Sequence, residues 1–267
     1  MKNILLLVHD DPGQEARLQA ALDVTRALEG HLTCLDVVVM PPVMGMDVIE
    51  TGATSMLLAD ERERESANRA RLEQRLAHED VPWNWHDVVG NFEPALRSAA
   101  DLADLIVVSR QLEDFPLPDM RHVAGDLVVK SGKPVLAVPD YAEGLAVAET
   151  ALVAWDGSHT AAAALRAAVP LLQLAGKVVV LQFSEPDNDA LVEDAAIYLS
   201  RHGVHAVIRR ERPEGKIGDA LIAEAASGRY AYVVMGGFGH LRFVEGLFGG
   251  VTRTMLTKSP IPVFLAH

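Results

Sequence analysis

Short apolar runs alternate along this chain with longer segments whose apolar positions recur at helical spacing. That is the rhythm of a parallel sheet covered by helices. The pattern predicts strands near 2–8, 31–38, 83–88, 104–108 and 134–138, and again near 151–155, 177–183, 204–209, 231–235 and 261–266. In the second set, helices are predicted near 159–173, 188–202, 216–227 and 250–257. The two sets also match in sequence and in order. Leu6-Leu7-Val8-His9-Asp10-Asp11 pairs with Leu152-Val153-Ala154-Trp155-Asp156-Gly157, and Leu102 to Val108 pairs with Arg229 to Met235. Ser131 to Val138 pairs with Ser259 to Ala266. Three matches in one order indicate an internal repeat. The expected organisation is therefore two tandem α/β units, 1–143 and 144–267, each a five-stranded parallel sheet, joined through Pro139 to Thr150. Each unit ends in an apolar strand after a Ser-x-x-Pro stop, and such an edge needs cover. Packing of the two units as a pseudo-dimer is the expected solution, with further homodimerisation left open.

Composition narrows the picture. At 267 residues and 49% hydrophobic content the chain can bury one large core or two ordinary ones. The opening apolar run is cut by His9-Asp10-Asp11 before it reaches the length of a signal peptide or membrane span, so a soluble, cytoplasmic protein is expected. The one cysteine, Cys34, lies in an apolar run and reads as a buried, inert thiol. A net charge of -13 argues against nucleic acid as partner. The charge is also uneven. Residues 1–146 hold 25 acidic and 13 basic side chains, a net -12, while residues 147–267 hold 12 and 11, a net -1. An anionic ligand meets less repulsion in the second half.

The second half also carries the informative glycines. Gly236-Gly237-Phe238-Gly239 follows the run Tyr232 to Met235, and nine residues later Gly249-Gly250-Val251-Thr252-Arg253 opens a helical pattern. Glycines between a strand and a helix N-terminus allow backbone N–H groups to cradle phosphate, although tight turns alone also use glycine. Asp156 reads either as a ligand contact or, with Ser158, as a helix cap. Asp10 and Asp11 read as caps. Arg253 suits a phosphate or a salt bridge, and His240 suits a ligand or an exposed surface. The charges from Asp60 to Asp80 mix signs at i,i+4 spacings, which predicts a solvated helix face. The Met-rich loop 39–46 suits an apolar ligand or partner, or packing between the units. No histidine pair has metal-ligand spacing, and there is no Walker lysine motif and no Gly-x-Ser-x-Gly.

With a strand-Asp at the start of each unit and Gly-x-x-Gly, nine residues, Gly-Gly-Val-Thr-Arg at the end of the second, the chain resembles a tandem universal stress protein. The resemblance implies a five-stranded sheet of adenine-nucleotide α-hydrolase-like topology in each unit, and ATP binding, with Mg accompanying it, without vigorous catalysis. By position it places Asp156 at the ribose or adenine and Phe183 against the adenine. Gly236 and Gly239 fall beside the phosphates, and Gly249, Gly250, Val251 and Thr252 at the following helix N-terminus. Family members often carry Ser or Thr where this chain has Gly250, so Thr252 or Thr254 would have to supply any hydroxyl. In the first unit Ser109-Arg110 replaces Gly236-Gly237, and the stretch that follows contains Glu113, Asp114 and Asp119. Carboxylates repel phosphate by about 1 kcal/mol per close pair even in bulk water, so no ATP is expected there. The implied function is a stress-response protein that binds one ATP in its second unit and acts through a ligand-dependent protein partner. A nucleotide-free interaction scaffold and a slow ATPase are the alternatives.

Overall fold

Apolar runs such as Ile4 to Val8 and Val178 to Leu181 have no polar face to offer water, so they form strands covered on both sides. The computed structural model describes residues 1–39, 63–90, 92–110, 120–183, 192–238 and 250–267. Gly239, Gly249, His240 and the Met-rich loop from residue 40 onward lie outside them, as do Glu113, Asp114 and Asp119. In the first half the strands are β1 (Asn3–Val8), β2 (His31–Val39), β3 (Trp83–Gly90), β4 (Leu105–Ser109) and β5 (Val135–Val138). In the second they are β6 (Thr150–Ala154), β7 (Lys177–Phe183), β8 (Ala206–Glu211), β9 (Tyr232–Gly236) and β10 (Val263–Ala266). The helices of the first half are α1 (Gln14–Ala27), α2 (63–76), α3 (Phe92–Ala99) and α4 (Met120–Ser131). Those of the second are α5 (His159–Leu172), α6 (Val192–Arg201), α7 (Ile217–Ala225) and α8 (Gly250–Lys258). Each predicted strand is present within two residues of its expected start.

The strands join in one ten-stranded sheet of order β3-β2-β1-β4-β5-β10-β9-β6-β7-β8. Each half contributes the expected five strands, but they form one continuous sheet rather than a sheet for each unit. Every pairing within a half is parallel, and the seam is antiparallel, with Val135 opposite Leu265, Leu136 opposite Phe264 and Ala137 opposite Val263. The physical reason is the edge problem: β5 and β10 are buried along their whole length, and each satisfies the other's free backbone groups. The boundary read at 143–144 falls in the connection between β5 and β6. That connection is docked, since Leu145 is buried and its N–H donates to Asp23 Oδ2 at 2.9 Å.

Alternation along the strands sorts the core into two layers. Ile4, Leu6, Val8, Val178 and Val180 point to the side covered by α1, α2, α5 and α6. Leu5, Leu7, Val179 and Leu181 point to the side covered by α3, α4, α7 and α8. Phe264 is fully buried on the first side beside the seam. Cys34 is buried and free, and burial pushes its thiol up to about 12, in line with an inert core residue. Among the described residues, no helix is long and apolar enough to cross a membrane.

In each half the chain starts at the centre, moves outward through two strands, and then crosses to the other side. The direction reverses between β1 and β4 and between β6 and β9, so a crevice opens at the carboxyl ends of each pair. The seam makes a direct prediction. Truncating Phe264→Ala is expected to cost about 3–5 kcal/mol and to leave one cooperative transition in urea, because the cavity opens where the halves meet. Two resolved transitions in the variant would show instead that the halves unfold independently.

Candidate functional site

The second-half crevice is built from the ends of β6, β7 and β9. Ala154 lies opposite Met235 on one side and Leu181 on the other, so the residues just beyond them gather at one place. Trp155 N–H donates to Leu181 O at 2.8 Å, which keeps the chain extended for one more residue. Asp156 is exposed at the mouth, and its Oδ1 accepts Ser158 N–H at 2.9 Å. Ser158 is the cap of α5, its Oγ accepting Ala161 N–H at 3.1 Å. Asp156 therefore shapes the turn and leaves the capping itself to Ser158. Phe183 ends β7, half-buried against the core of the α7 and α8 side.

Gly236 ends β9 under tight constraint. A Cβ there would stand 2.5 Å from Ala161 N and 2.6 Å from Thr160 C, so the first turn of α5 can lie against the strand end only if that residue is glycine. Beyond it, Gly237 N–H donates to Ala266 O at 2.9 Å, and Phe238 adopts a positive φ of 59°. Phe238 N–H donates to Thr252 Oγ1 at 3.5 Å, tying the glycine turn to the first turn of α8. Thr252 is buried, and Thr254 Oγ1 donates to Gly250 O at 2.7 Å, so both hydroxyls are engaged within the protein. Val251 is half-buried and packs on the core, and Arg253 is exposed on the same turn, with no ion pair to another described residue. At Gly250 a Cβ would meet nothing within 4 Å. Two helix N-termini, those of α5 and α8, thus converge on the turn Gly236 to Phe238, bringing positive partial charge.

The corresponding crevice of the first half is filled by its own side chains. Arg17 of α1 is fully buried, and its five N–H donors all have acceptors. Nε donates to Leu7 O at 3.1 Å, and Nη2 donates to His9 O at 3.1 Å and to Asp11 Oδ2 at 2.7 Å. Nη1 donates to Asp11 Oδ1 at 2.9 Å and to Ser109 Oγ. Removing a guanidinium from water costs several kcal/mol, and a complete set of partners, one of them a bidentate carboxylate, is what offsets it. Asp11 does not cap α1. It accepts Gly13 N–H at 2.8 Å and holds Arg17. Gly13 plays the part of Gly236 from the opposite wall: a Cβ there would lie 2.7 Å from Ser109 Oγ.

A second buried polar cluster closes this crevice from the side of α2. His9 Nδ1 lies 2.8 Å from Glu65 Oε1, both side chains being buried. Asn68 exchanges two hydrogen bonds with Gln14, at 2.7 and 2.8 Å, and also donates to Glu65 at 3.3 Å. Arg71 reaches Asp10 and Asn68, each at 2.7 Å. Only part of α2 is therefore the solvated face expected from its charges. Arg69 pairs outward with Glu73 in that way, whereas Glu65 and Asn68 face the crevice. Burial raises the Glu65 carboxyl, but His9, the Asn68 amide and the Asp10 backbone outweigh it and hold the carboxyl below the ordinary glutamate range.

Sequence reasoning did not find Arg17, Glu65 or the role of Ser109. The usable signal was an arginine between Ala16 and Leu18 in the apolar stretch of α1, together with Ser109-Arg110 ending an otherwise apolar strand. Among the described residues no group of three or more His, Cys, Asp or Glu side chains could hold a metal ion.

Comparison with known proteins bears on this arrangement. Residues 148–267 match the Universal stress protein family model. No curated protein matches the chain. Among solved structures the chain is similar to a universal stress protein from Archaeoglobus fulgidus DSM 4304, at 18% identity and a TM-score of 0.75, covering 100% of this chain and 98% of that one. It is similar also to a functionally unknown protein from Pseudomonas aeruginosa PAO1, at 16% identity and a TM-score of 0.63, covering 100% and 92%. At these identities the likeness establishes the α/β fold.

Two measurements test this geometry. Gly236→Ala is expected to destabilise the protein by about 1–3 kcal/mol in urea melts, because the methyl collides with backbone atoms of α5 that have no room to give. For Glu65 the folded pKa lies below the unfolded one, so the unfolded chain binds its proton more readily. Its stabilisation is in place above the ordinary glutamate value of 4.5 and is lost as pH falls through the folded value. Urea stability followed between about pH 3 and 5 should therefore fall less steeply with acid in Glu65→Gln than in the parent.

Proposed function

We propose that residues 148–267 hold one adenine nucleotide, ATP, in the crevice between β6 and β9, and that the bound state is read by a protein partner rather than consumed by fast catalysis. The observation that carries this reading is the difference between two crevices built on one plan. In the first, Arg17, Asp11 and Ser109 fill the space. In the second, the matching strand end is Gly236, and α8 opens on Gly250, whose missing side chain leaves open space. The fold of the described residues has no steric need for glycine at Gly250, whereas a phosphate approaching backbone N–H groups does.

In this reading Asp156 at the mouth meets the ribose or adenine, and Phe183 lies along the adenine. The phosphates sit between the turn Gly236 to Phe238 and the opening of α8 at Gly250 and Val251, with Arg253 adding positive charge; Gly239 and Gly249 of the motif lie outside the described residues. Mg would travel with the phosphates and take its ligands from them. The near-neutral charge of the second half supports an anionic ligand there. The engagement of Thr252 and Thr254 within the protein favours binding through backbone rather than hydroxyl contacts, and equally supports the second reading, a nucleotide-free scaffold. Slow ATP hydrolysis is compatible with the first reading and adds no residue to it.

Isothermal titration of the nucleotide-stripped protein with ATP should give one site per chain, and no binding at high micromolar ATP would leave the scaffold. Gly250→Asp sharpens the test, because it adds a carboxylate at a helix N-terminus where space is open. Stability should hold or rise by about 0.5 kcal/mol, since an acidic residue suits that position. ATP affinity should fall by about tenfold or more, equivalent to about 1.4 kcal/mol.

A further inference from the structure

We infer that Arg110, a residue of the first half, is a positioning residue for the candidate nucleotide site of the second: it fixes α8 from its C-terminal end, across the β5–β10 seam. The inference rests on the nucleotide reading for the site it serves. Arg110 directly follows β4, and its N–H donates to Val138 O at 2.7 Å, which locks its backbone to the seam strand β5. Its side chain is buried, and Nη1 donates to Leu256 O at 3.4 Å and to Thr257 O. Both carbonyls belong to the last turn of α8, where the helix leaves its acceptors unsatisfied and concentrates negative partial charge. A buried guanidinium answers both needs at once.

The repeat makes the specialisation visible. Gly237 occupies the place of Arg110 in the second half and makes the equivalent backbone bond, to Ala266 O at 2.9 Å, but has no side chain to send across. The crossing in that direction is made by the next residue. The Phe238 ring lies over Gly125 of α4, where a Cβ would stand 2.7 Å from Cζ. Side chains thus cross the seam from both halves, and α8 is held at both ends: the backbone N–H of Phe238 reaches Thr252 in its first turn, and the Arg110 side chain reaches its last. A helix of nine residues is about 13 Å long, so a pivot of about 5° at the Arg110 end moves the opening N–H groups by about 1 Å. Displacement on that scale is enough to spoil aligned contacts to phosphate.

The test is titration calorimetry of the full chain with ATP and, separately, with adenosine. Adenosine probes Asp156 and Phe183 without the α8 contacts. Arg110→Met, of similar length and uncharged, is expected to weaken ATP by about tenfold, within the range of measured couplings between sites, and to leave adenosine within about twofold. Arg110→Lys should recover part of the loss, and far-UV circular dichroism should match the parent. ATP binding of Arg110→Met within twofold of the parent, or equal losses for ATP and adenosine, overturns the inference while leaving the nucleotide reading intact. A parent that binds no ATP removes that reading and the inference with it. Should Arg110→Met fail to fold, Arg110→Lys decides: a threefold or greater loss confined to ATP supports the role, and unchanged affinity overturns it.

Discussion

At each crevice the first turn of a helix lies so close to the end of the fourth strand that one of the two must lack a side chain. The difference between the two crevices follows from that contact, because it decides which side chains stand where strand order reverses. The halves solve it from opposite walls. In the second the strand end is glycine, Gly236, and α5 keeps Thr160 and Ala161. In the first the helix side yields at Gly13, and the strand end keeps Ser109. That exchange brings a hydroxyl into the first crevice, and with it the acceptor that completes the partners of Arg17. One crevice becomes part of the core, and at the other the described residues present a glycine turn flanked by two helix N-termini.

The seam gives this asymmetry its reach. Antiparallel pairing of β5 with β10 removes two edges and makes one sheet, so the core layers on both faces run through from one half to the other. Helices on the α3, α4, α7 and α8 side meet across it, where Arg110 and Phe238 cross in opposite directions. A duplicated unit whose copies share a sheet can divide labour in this way. In the proposed arrangement the first copy lends rigidity to the second, and a buried Arg17 whose five N–H groups all have acceptors suits that role.

Much of the fold was legible in the sequence. Strands of a parallel sheet are buried on both faces and read as continuous apolar runs, which is why Ile4 to Val8 and Val178 to Leu181 stood out. The repeat fixed their order of appearance, and the motif pointed to Asp156, Phe183, Gly236 and Gly250 at strand ends and a helix start. The roles of these residues were less legible. Asp156 read as a ligand contact or, with Ser158, as a helix cap; its side chain forms the turn before the cap, because Ser158 takes the amide of Ala161. Gly236 looked like a phosphate glycine and is also a steric requirement of α5. The charges of α2 looked solvated, and periodicity had no means of showing that Glu65 and Asn68 turn inward to His9 and Gln14.

Local pattern determined what neighbouring residues decide: the strands and helices, the repeat, the burial of Cys34 and the uneven charge. Tertiary structure alone decided what depends on residues far apart in the chain. Arg17 is buried only because Ser109, 92 residues away, completes its acceptors, and Arg110 meets α8 only because two edge strands pair across 128 residues of sequence. Burying a charge costs several kcal/mol unless partners offset it, and both arginines draw partners from distant segments, so their location is a property of the assembled fold rather than of any one segment.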